Sequence, residues 1–258
     1  MFQLFWEIWN NWELIWALAM KELHVRYKRS ALGFLWSLLN PLMTMVILTL
    51  VFSTVMASGI SHYSIFLISA LLPWTFLSQS LSYAVESIVS NSDLLKKIYV
   101  PKSVFPVAAI VSNLVNFLLS LIPLALLLVV LRFPFHRTLL LLPIPLAGLV
   151  LFALGFGFFC AAANVYFRDV AHILQIVIQA WFYMSPIIYS LDLVPRRFRL
   201  LFRLNPMVYI LNEFRMSIYW GKLPTAQSVG MSLAVGLVAV FLGYSFFRRV
   251  EDSLVYYL

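Results

Sequence analysis

The sequence predicts an all-α integral membrane protein, and three observations lead to this fold class. Apolar and aromatic residues make up 63% of the chain and charged residues only 11%, whereas soluble domains average about 25% charged residues. The mean hydropathy is +0.94. The apolar residues form long runs without the alternation of a barrel strand, and in hydrocarbon only helices and closed barrels satisfy their own backbone polar groups.

Residues 1–30 are predicted to form an amphipathic helix that lies in the membrane interface on the cytoplasmic side. Four tryptophans lie between positions 6 and 16, and Glu7 and Glu13 are interleaved with them. Aromatic residues on one face and charges on the other are typical of an interfacial helix. The alternative is a first spanning helix, which would place both glutamates in hydrocarbon.

Six further apolar runs reach or approach the roughly 20 residues that a membrane-spanning helix requires. The predicted spans are 31–56, 65–88, 104–131, 139–163, 170–190 and 229–247. They form one transmembrane domain over 31–250, followed by a cytoplasmic tail at 251–258. In the fourth span Ala153, Gly157 and Ala161 form a ridge of small residues that favours close helix packing.

The orientation follows from the basic residues between the spans, because cytoplasmic loops carry an excess of Lys and Arg. With a cytoplasmic N-terminus, the inner side holds Lys21, Arg26, Lys28, Arg29, Lys96, Lys97, Lys102, Arg168, Arg248 and Arg249. The first two outer loops hold only Arg132 and Arg137. Both termini are therefore predicted to be cytoplasmic. The protein is expected to lie in the inner (cytoplasmic) membrane.

The segment 191–228 is predicted to form short re-entrant or surface-lying gate helices between the fifth and sixth spans. Its apolar stretch 204–212 is too short to cross about 30 Å of hydrocarbon at about 1.5 Å per residue. Its basic residues are an exception to the excess of Lys and Arg on the cytoplasmic side. An arginine in the bilayer centre costs free energy. The candidate outer-gate residues are Arg196, Arg197, Arg199, Arg203, Asn205 and Pro206. The arginines either rim an exit, where they meet phosphate or acidic sugar groups, or anchor a surface helix at lipid headgroups.

Motifs for catalysis are missing from the sequence. It contains no GxSxG, HExxH, CxxC or P-loop motif, and its four histidines are too dispersed to suggest a metal site. The basic residues flank apolar spans and form no single patch, so anionic lipid is a better partner than nucleic acid. We therefore expect no enzyme, no metal site and no cofactor in this chain.

Polar stripes on several spans indicate either hydrogen bonds between helices or a hydrated path suited to sugars. Each stripe places its residues on one helical face. The candidate channel-lining residues are Ser37, Asn40, Thr44, Gln79, Tyr83, Asn113, Asn116, Gln175, Gln179 and Tyr183.

The loop 91–101 is predicted to contain a short cytoplasmic helix. Ser92 or Asp93 could cap it, and Pro101 would end it. Its apolar side consists of Leu94, Leu95 and Ile98. Such a helix is suited to a groove on a partner protein, although it could instead be a basic anchor beside the membrane.

Five segments together resemble one known family. They are RYKRSALGFLWSLLNP at 26–41, LKKIYVP at 95–101, NVYFRDV at 164–170, MSPIIY at 184–189 and LNPM at 204–207. In this order they are similar to type-2 ABC exporter permeases of the polysaccharide and polyol-phosphate group. That group includes O-antigen (lipopolysaccharide), capsule and teichoic acid exporters.

The resemblance implies a homodimeric permease with two separate ATP-binding cassette subunits, which hold the ATP and Mg. It implies that the substrate is a lipid-linked glycan, commonly carried on undecaprenyl. It also implies that the cytoplasmic loops transmit ATPase movements, through Asp93, Leu94, Leu95, Lys96, Lys97, Ile98, Tyr99, Arg168 and Asp169.

Two alternatives remain at this point. An exporter of the same architecture could carry a lipid or a drug. A membrane enzyme acting on lipid-linked sugars would need a cluster of carboxylates on one membrane face, where the inner side offers only Glu86, Asp93 and Asp169.

Overall fold

The computed structural model describes residues 2–28, 32–33, 35–56, 60–97 and 100–258, and in these ranges the chain forms helices and turns without strands. The α-helices are α1 (Phe2–Asn10), α2 (Trp12–Tyr27), α3 (Leu35–Met56), α4 (Tyr63–Glu86), α5 (Ser92–Leu95), α6 (Val104–Val130), α7 (Pro143–Tyr166), α8 (Asp169–Tyr183), α9 (Arg199–Leu204), α10 (Pro206–Arg215) and α11 (Ala226–Val250). Short 3₁₀ turns occupy Val89–Asn91, Arg137–Leu141, Leu191–Leu193, Arg196–Phe198 and Glu251–Tyr257. A π-helix at Met216–Trp220 continues α10.

The N-terminal region is two helices rather than one, because the chain turns at Asn11. α2 packs on α6, and its Ile15 and Ala19 are fully buried. The tryptophans lie on the other side, where Trp9 is 67% exposed. This one-sided burial agrees with the amphipathic pattern.

Within the ranges that the structure describes, four segments are long and apolar enough to cross a membrane. They are Tyr63–Ser87, Val104–Val130, Arg137–Tyr166 and Ala226–Leu254. α3 contains a shorter apolar part, Leu39–Phe52. The chain is therefore a multi-pass membrane protein.

The fifth predicted span, 170–190, is longer than the helix that the structure shows. α8 has 15 residues, about 22 Å at 1.5 Å per residue. It ends at Tyr183 before Ser185 and Pro186 because proline disfavours helical backbone in the residue before it. The segment 185–189 is bent chain.

Successive long helices along the chain alternate in direction, and α4 lies at the centre of the bundle. α4 contacts α3, α6, α7, α8 and α10. The ring of Phe76, near the middle of α4, packs 5.8 Å from Phe117 near the middle of α6. The Asn164 amide of α7 donates to the Val85 carbonyl of α4 at 2.9 Å. The C-terminal ends of α4, α7 and α11 thus meet at one end, here called the inner end after the predicted orientation.

α7 and α11 run parallel in close contact, and glycines seven residues apart make this contact possible. Gly148 and Gly155 lie on α7, and Gly236 and Gly243 lie on α11. A Cβ atom on Gly155 would overlap the backbone of Ala239, and one on Gly243 would overlap the Gly155 carbonyl. Small residues of this kind let helix backbones approach in membranes.

The predicted small-residue ridge on α7 packs against α4 and α6 rather than against α11. Ala153 and Ala161 are fully buried. A Cβ atom on Gly157 would lie 3.2 Å from both the Ala84 Cβ of α4 and the Ile110 Cδ1 of α6. α7 therefore has two close-packing faces, and only one of them follows the predicted spacing.

The segment between α8 and α11 contains the predicted short helices. α9 has no buried residue, whereas most side chains of α10 are buried against α4, α11 and α7. Phe214 of α10 packs 5.9 Å from Phe117, midway along α6. α10 thus reaches the depth of mid-span residues, sheltered by protein as such backbone requires.

The predicted helix in the loop 91–101 is shorter than expected. α5 is a single turn that ends at Leu95, and Lys96 and Lys97 form a turn. The predicted caps are wrong, because Asn91 precedes α5 and makes no side-chain capping bond. Ile98 and Tyr99 lie outside the described residues.

Replacing Gly155 by Ala should force α7 and α11 apart and destabilise the fold by about 1–3 kcal/mol, the usual cost of overpacking. The melting temperature of the detergent-purified protein should fall. Gly230→Ala in α11 is the matched control, since nothing lies within 4 Å of its Cβ position and alanine favours helix. A Gly155→Ala protein as stable as the Gly230→Ala protein would contradict the close contact.

Candidate functional site

A polar cavity of about 330 Å³ lies among α2, α3, α4 and α6. Five predicted channel residues share it, on three different helices: Asn40, Gln79, Tyr83, Asn113 and Asn116. The other lining residues are Arg26, Trp36, Pro41, Leu72, Thr75, Phe76, Phe117 and Ser120. Amides, hydroxyls and aromatic rings therefore surround a space inside an otherwise apolar bundle.

Arg26 is the cation of this cavity, and it reaches the cavity from the end of α2. Its Nη1 donates to the Asn113 Oδ1 at 3.1 Å, and its Nη2 donates to the Glu22 Oε1 at 3.0 Å. The guanidinium also lies 3.8 Å from the centre of the Tyr83 ring, a cation–π contact. α2 is thus tied to α4 and α6 through one side chain.

The Arg26 guanidinium counteracts the effect of burial on Glu22. Burial raises the pKa of the Glu22 carboxyl, and the Arg26 guanidinium opposes that rise. The two residues are one helical turn apart, a spacing at which opposite charges attract on a helix. The prediction of channel-lining residues did not include Arg26. The spacing of four residues between Glu22 and Arg26 was the feature of the sequence that could have indicated it.

Asn116 differs from its neighbour Asn113. Asn113 accepts from Arg26 and donates to the Ala109 carbonyl at 2.8 Å. Asn116 is 7% exposed, and within the described part of the chain neither its Nδ2 nor its Oδ1 has a partner. The Arg26 Nε is likewise buried without a partner among these residues. Unpaired buried polar groups are costly, so this cavity is suited to a polar ligand or water.

A second cavity, of about 350 Å³, adjoins the first at the inner end. It is lined by α2, α4 and α6, and includes Lys21, Glu86, Ser90 and Asn91. Arg26 and Tyr83 line both cavities. The stacked Arg26–Tyr83 pair therefore stands between an inner cavity and the polar cavity of the bundle.

The remaining predicted channel residues do not join this cavity. Gln175, Gln179 and Tyr183 lie exposed along α8, and Thr44 is exposed on α3. The side chain of Ser37 lies outside the described residues. The α8 stripe is bordered by exposed Ile173, Ile176 and Val177, so α8 presents a mixed polar and apolar face away from the bundle.

Asn205 connects α10 to the end of α8. Its Oδ1 accepts from the Met207 backbone N–H and from the Trp181 indole N–H at 2.9 Å. Its Nδ2 donates to the Met184 carbonyl and the Ser185 hydroxyl, both at 3.1 Å. Pro206 follows as the first residue of α10, the position where proline suits a helix. Asn205 and Pro206, both predicted as gate residues, therefore start the buried helix α10.

Two buried charged residues of α10 were not predicted as gate residues. The Arg215 Nη2 donates to the carbonyls of Pro186 and Ile187, and the guanidinium lies 3.7 Å from the Phe66 ring centre. Glu213 accepts from the hydroxyls of Ser228 and Ser232 on α11. These contacts lie far apart in the sequence, so spacing within α10 could not indicate them.

The four predicted gate arginines are exposed, on the 3₁₀ turn before α9 and on α9 itself. Arg199 and Arg203 line an open groove of about 550 Å³ together with Asp192, Tyr209 and Asn212. Arg196 and Arg197 lie outside this groove. The groove thus combines cations, an acid, an amide and a phenol at the end opposite the inner end.

The predicted coupling residues lie at the inner end. Asp93, Lys96, Lys97, Arg168 and Asp169 are exposed, and Leu94 and Leu95 are half-buried. Hydrogen bonds connect the segment 96–103 with α1 and with the C-terminal residues.

The contacts at the inner end converge on the segment 251–257, which is packed rather than a free tail. The Lys102 Nζ donates to the Glu251 carbonyl at 2.7 Å, and Arg248 pairs with Glu251 at 2.6 Å. The Tyr166 hydroxyl lies 2.6 Å from the Ser253 Oγ. Lys102 and Tyr166, which lie beside the two loops, therefore both contact one short C-terminal turn.

Glu7 of α1 also belongs to this inner end. It accepts from the Ser103 hydroxyl at 2.9 Å and pairs with Arg248 at 3.5 Å. A carboxylate with these partners has no need to enter hydrocarbon.

Acidic, histidine and cysteine side chains do not gather in groups of three or more in the ranges that the structure describes. The carboxylates named for the rival enzyme, Glu86, Asp93 and Asp169, are all exposed.

Comparison with known proteins shows relatives over nearly the whole chain. An O-antigen export system permease protein RfbA from Myxococcus xanthus is 34% identical over 257 residues, which is 98% of each chain. A second RfbA, from Klebsiella pneumoniae, is 30% identical over 93% of this chain and 92% of its own. The polysialic acid transport protein KpsM of Escherichia coli is 24% identical over 93% of this chain and 94% of its own.

The sequence profile of one family also matches most of the chain, over residues 13–219, and its description is ABC-2 type transporter. The matched range includes the residues that line the polar cavity and helix α10. It agrees with the resemblance of the five sequence segments. The chain belongs to the ABC-2 type transporter family.

Proposed function

We propose that this chain is the permease subunit of an ATP-driven exporter that moves lipid-linked cell-surface polysaccharide across the cytoplasmic membrane. The observation that carries the proposal is its end-to-end similarity to proteins named for O-antigen export and polysialic acid transport. The polar cavity supports the same function, since amides, hydroxyls and aromatic rings suit sugars.

In this proposal the permease has six spans, with α3 and α8 as the first and fifth, and both termini in the cytoplasm. α1 and α2 lie in the inner interface, with the exposed tryptophans toward lipid. The alternating direction of α3, α4, α6, α7, α8 and α11 supports six crossings. α8, which is too short alone, would complete its crossing with the bent segment 185–189.

The working form would be a homodimer with two ATP-binding cassette subunits. The exposed face of α8, with Gln175, Gln179 and Tyr183 between apolar residues, would lie against the second copy. An unpaired polar stripe is costly toward lipid, which supports a protein or hydrated surface there. The substrate would be a glycan on a lipid carrier such as undecaprenyl diphosphate.

ATP and Mg would be held by the partner subunits, whose closure would press on the loops at 92–97 and 167–169. Asn164 would help to pass this movement on, because it bonds to Val85 of α4 and to the Ala171 N–H of α8. The segment 251–257 contacts Lys102 and Tyr166, which lie beside these two loops, and it would move with them.

Removing the gene should abolish surface polysaccharide and leave lipid-linked glycan inside the cell, because synthesis continues while export stops. Restoring this chain with its ATP-binding partner should return the polymer to the surface. Immunoblotting of surface glycan and extraction of the lipid-linked pool measure both effects. Normal surface glycan in the deletion strain would contradict the proposed substrate and favour a lipid or drug exporter.

Reversing the two exposed lysines beside α5, with Lys96→Glu and Lys97→Glu, should lower substrate-stimulated ATPase and export together, by at least fivefold. The protein should still fold, since both side chains are exposed. Lys222→Glu, an exposed lysine near the opposite end, is the matched control. Full export by the double variant in an assembled complex would contradict a coupling role for this loop.

The topology can be tested with single cysteines in a Cys160→Ala background. Cysteine at Arg199→Cys should react with a membrane-impermeant thiol reagent in spheroplasts, and cysteine at Lys97→Cys should react only after the membrane is opened. The reason is that these positions lie at opposite ends of the bundle. Reversed labelling would place the gate arginines in the cytoplasm and exclude an outer gate.

A further inference from the structure

We propose that the polar cavity is a saccharide-binding subsite inside a single copy of the chain, in which the Asn116 carboxamide binds adjacent hydroxyls of an uncharged sugar ring. This inference rests on the proposed function, and deepens it by naming a ligand-binding group and the kind of sugar that it accepts.

The first argument is the state of Asn116. Its amide nitrogen and oxygen are both buried and lack partners among the described residues. The other buried asparagines of the spans and gate, Asn113, Asn164 and Asn205, all use their amides on protein groups. A carboxamide offers two donors and an acceptor, and two neighbouring sugar hydroxyls can each donate and accept in return.

The second argument is the charge of the cavity. Its cation, Arg26, is already paired with Glu22 and bonded to Asn113. The ion pair compensates the guanidinium charge, and only the Nε of Arg26 is a buried donor without a partner. A phosphate would need uncompensated positive charge and several donors. The cavity therefore favours an uncharged, hydroxyl-rich ligand over an anion.

The third argument is size and shape. The volume of about 330 Å³ is at the lower end of the range of roughly 300–1,000 Å³ for ligand pockets. It accommodates one or two sugar rings rather than a length of polymer. Trp36, Phe76 and Phe117 line it, and the C–H groups of a sugar ring can pack on such aromatic faces.

The stacked Arg26–Tyr83 pair gives the subsite a defined inner boundary. The adjoining inner cavity meets the polar cavity at these two residues. A sugar arriving from the inner cavity would pass beside the Arg26 guanidinium and the Tyr83 ring.

The test uses the permease assembled with its ATP-binding partner in a polymer-producing host. Asn116→Leu keeps the side-chain size and removes both hydrogen-bonding atoms. Because the carboxamide has no protein partner, the melting temperature of the complex should stay at or above that of the wild type. Export should fall at least tenfold. Asn164→Leu is the matched control, and it should lower the melting temperature because Asn164 is fully bonded.

A charged variant distinguishes a sugar from a phosphate. Asn116→Asp still accepts from sugar hydroxyls, so export should remain within about threefold of the wild type. If the cavity holds the phosphate of the lipid carrier, the added negative charge should repel it. Export as low as that of Asn116→Leu would then overturn the uncharged-sugar assignment.

Direct contact can be measured by photo-crosslinking to the host's own lipid-linked glycan. Trp36→p-benzoylphenylalanine should capture glycan, whereas the same probe at Leu126, which is 62% exposed on α6, should not. A strain that cannot begin glycan synthesis should give no product. The proposal is overturned if Trp36 captures no glycan, if Asn116→Leu exports normally, or if Asn116→Leu melts below the wild type.

Failure of the proposed function would look different. In that case the deletion strain would keep its surface glycan, and neither crosslinking position would depend on glycan synthesis.

Discussion

The structure depends on one constraint, which is that a polar group taken into an apolar bundle must find its partner within the protein. Asn164 meets it by joining the inner ends of α4, α7 and α8. Asn205 meets it by joining α10 to the end of α8, and the Nη2 of Arg215 meets it by holding the carbonyls of the bent segment 185–189. Each of these residues fixes an element that apolar packing alone would leave free to slide.

The same constraint draws attention to buried polar atoms that lack a partner among the described residues. Several side chains have one such atom, but Asn116 has both its amide nitrogen and its amide oxygen in this state, and it lines the polar cavity. Arg26 ties α2 to the bundle and stands at the boundary between two cavities. A side chain in this position connects α2 with the cavity in which we propose that a sugar binds.

The sequence was sufficient to predict the fold class, the long helices α4, α6, α7 and α11, and the short gate helices, because length and hydropathy decide these features. It did not predict the end of α8, since residues 184–190 are as apolar as a span but are bent at Pro186. Nor did it predict the glycine contact of α7 with α11, whose seven-residue spacing has meaning only when two helices are compared. Five polar stripe residues did meet in one cavity, while the α8 stripe lies on a different face. The pattern of polar residues along one helix cannot show whether a stripe lines a cavity or lies on an exposed face.

The central claim is that the cavity among α2, α3, α4 and α6 binds sugar. The most direct measurement is a cryo-electron microscopy structure of the permease with its ATP-binding partner, trapped with the host's lipid-linked glycan. The account predicts density for a sugar ring within hydrogen-bonding distance of the Asn116 carboxamide and against Trp36. Glycan density confined to other surfaces, with the Asn116 amide bonded to a protein group, would contradict it.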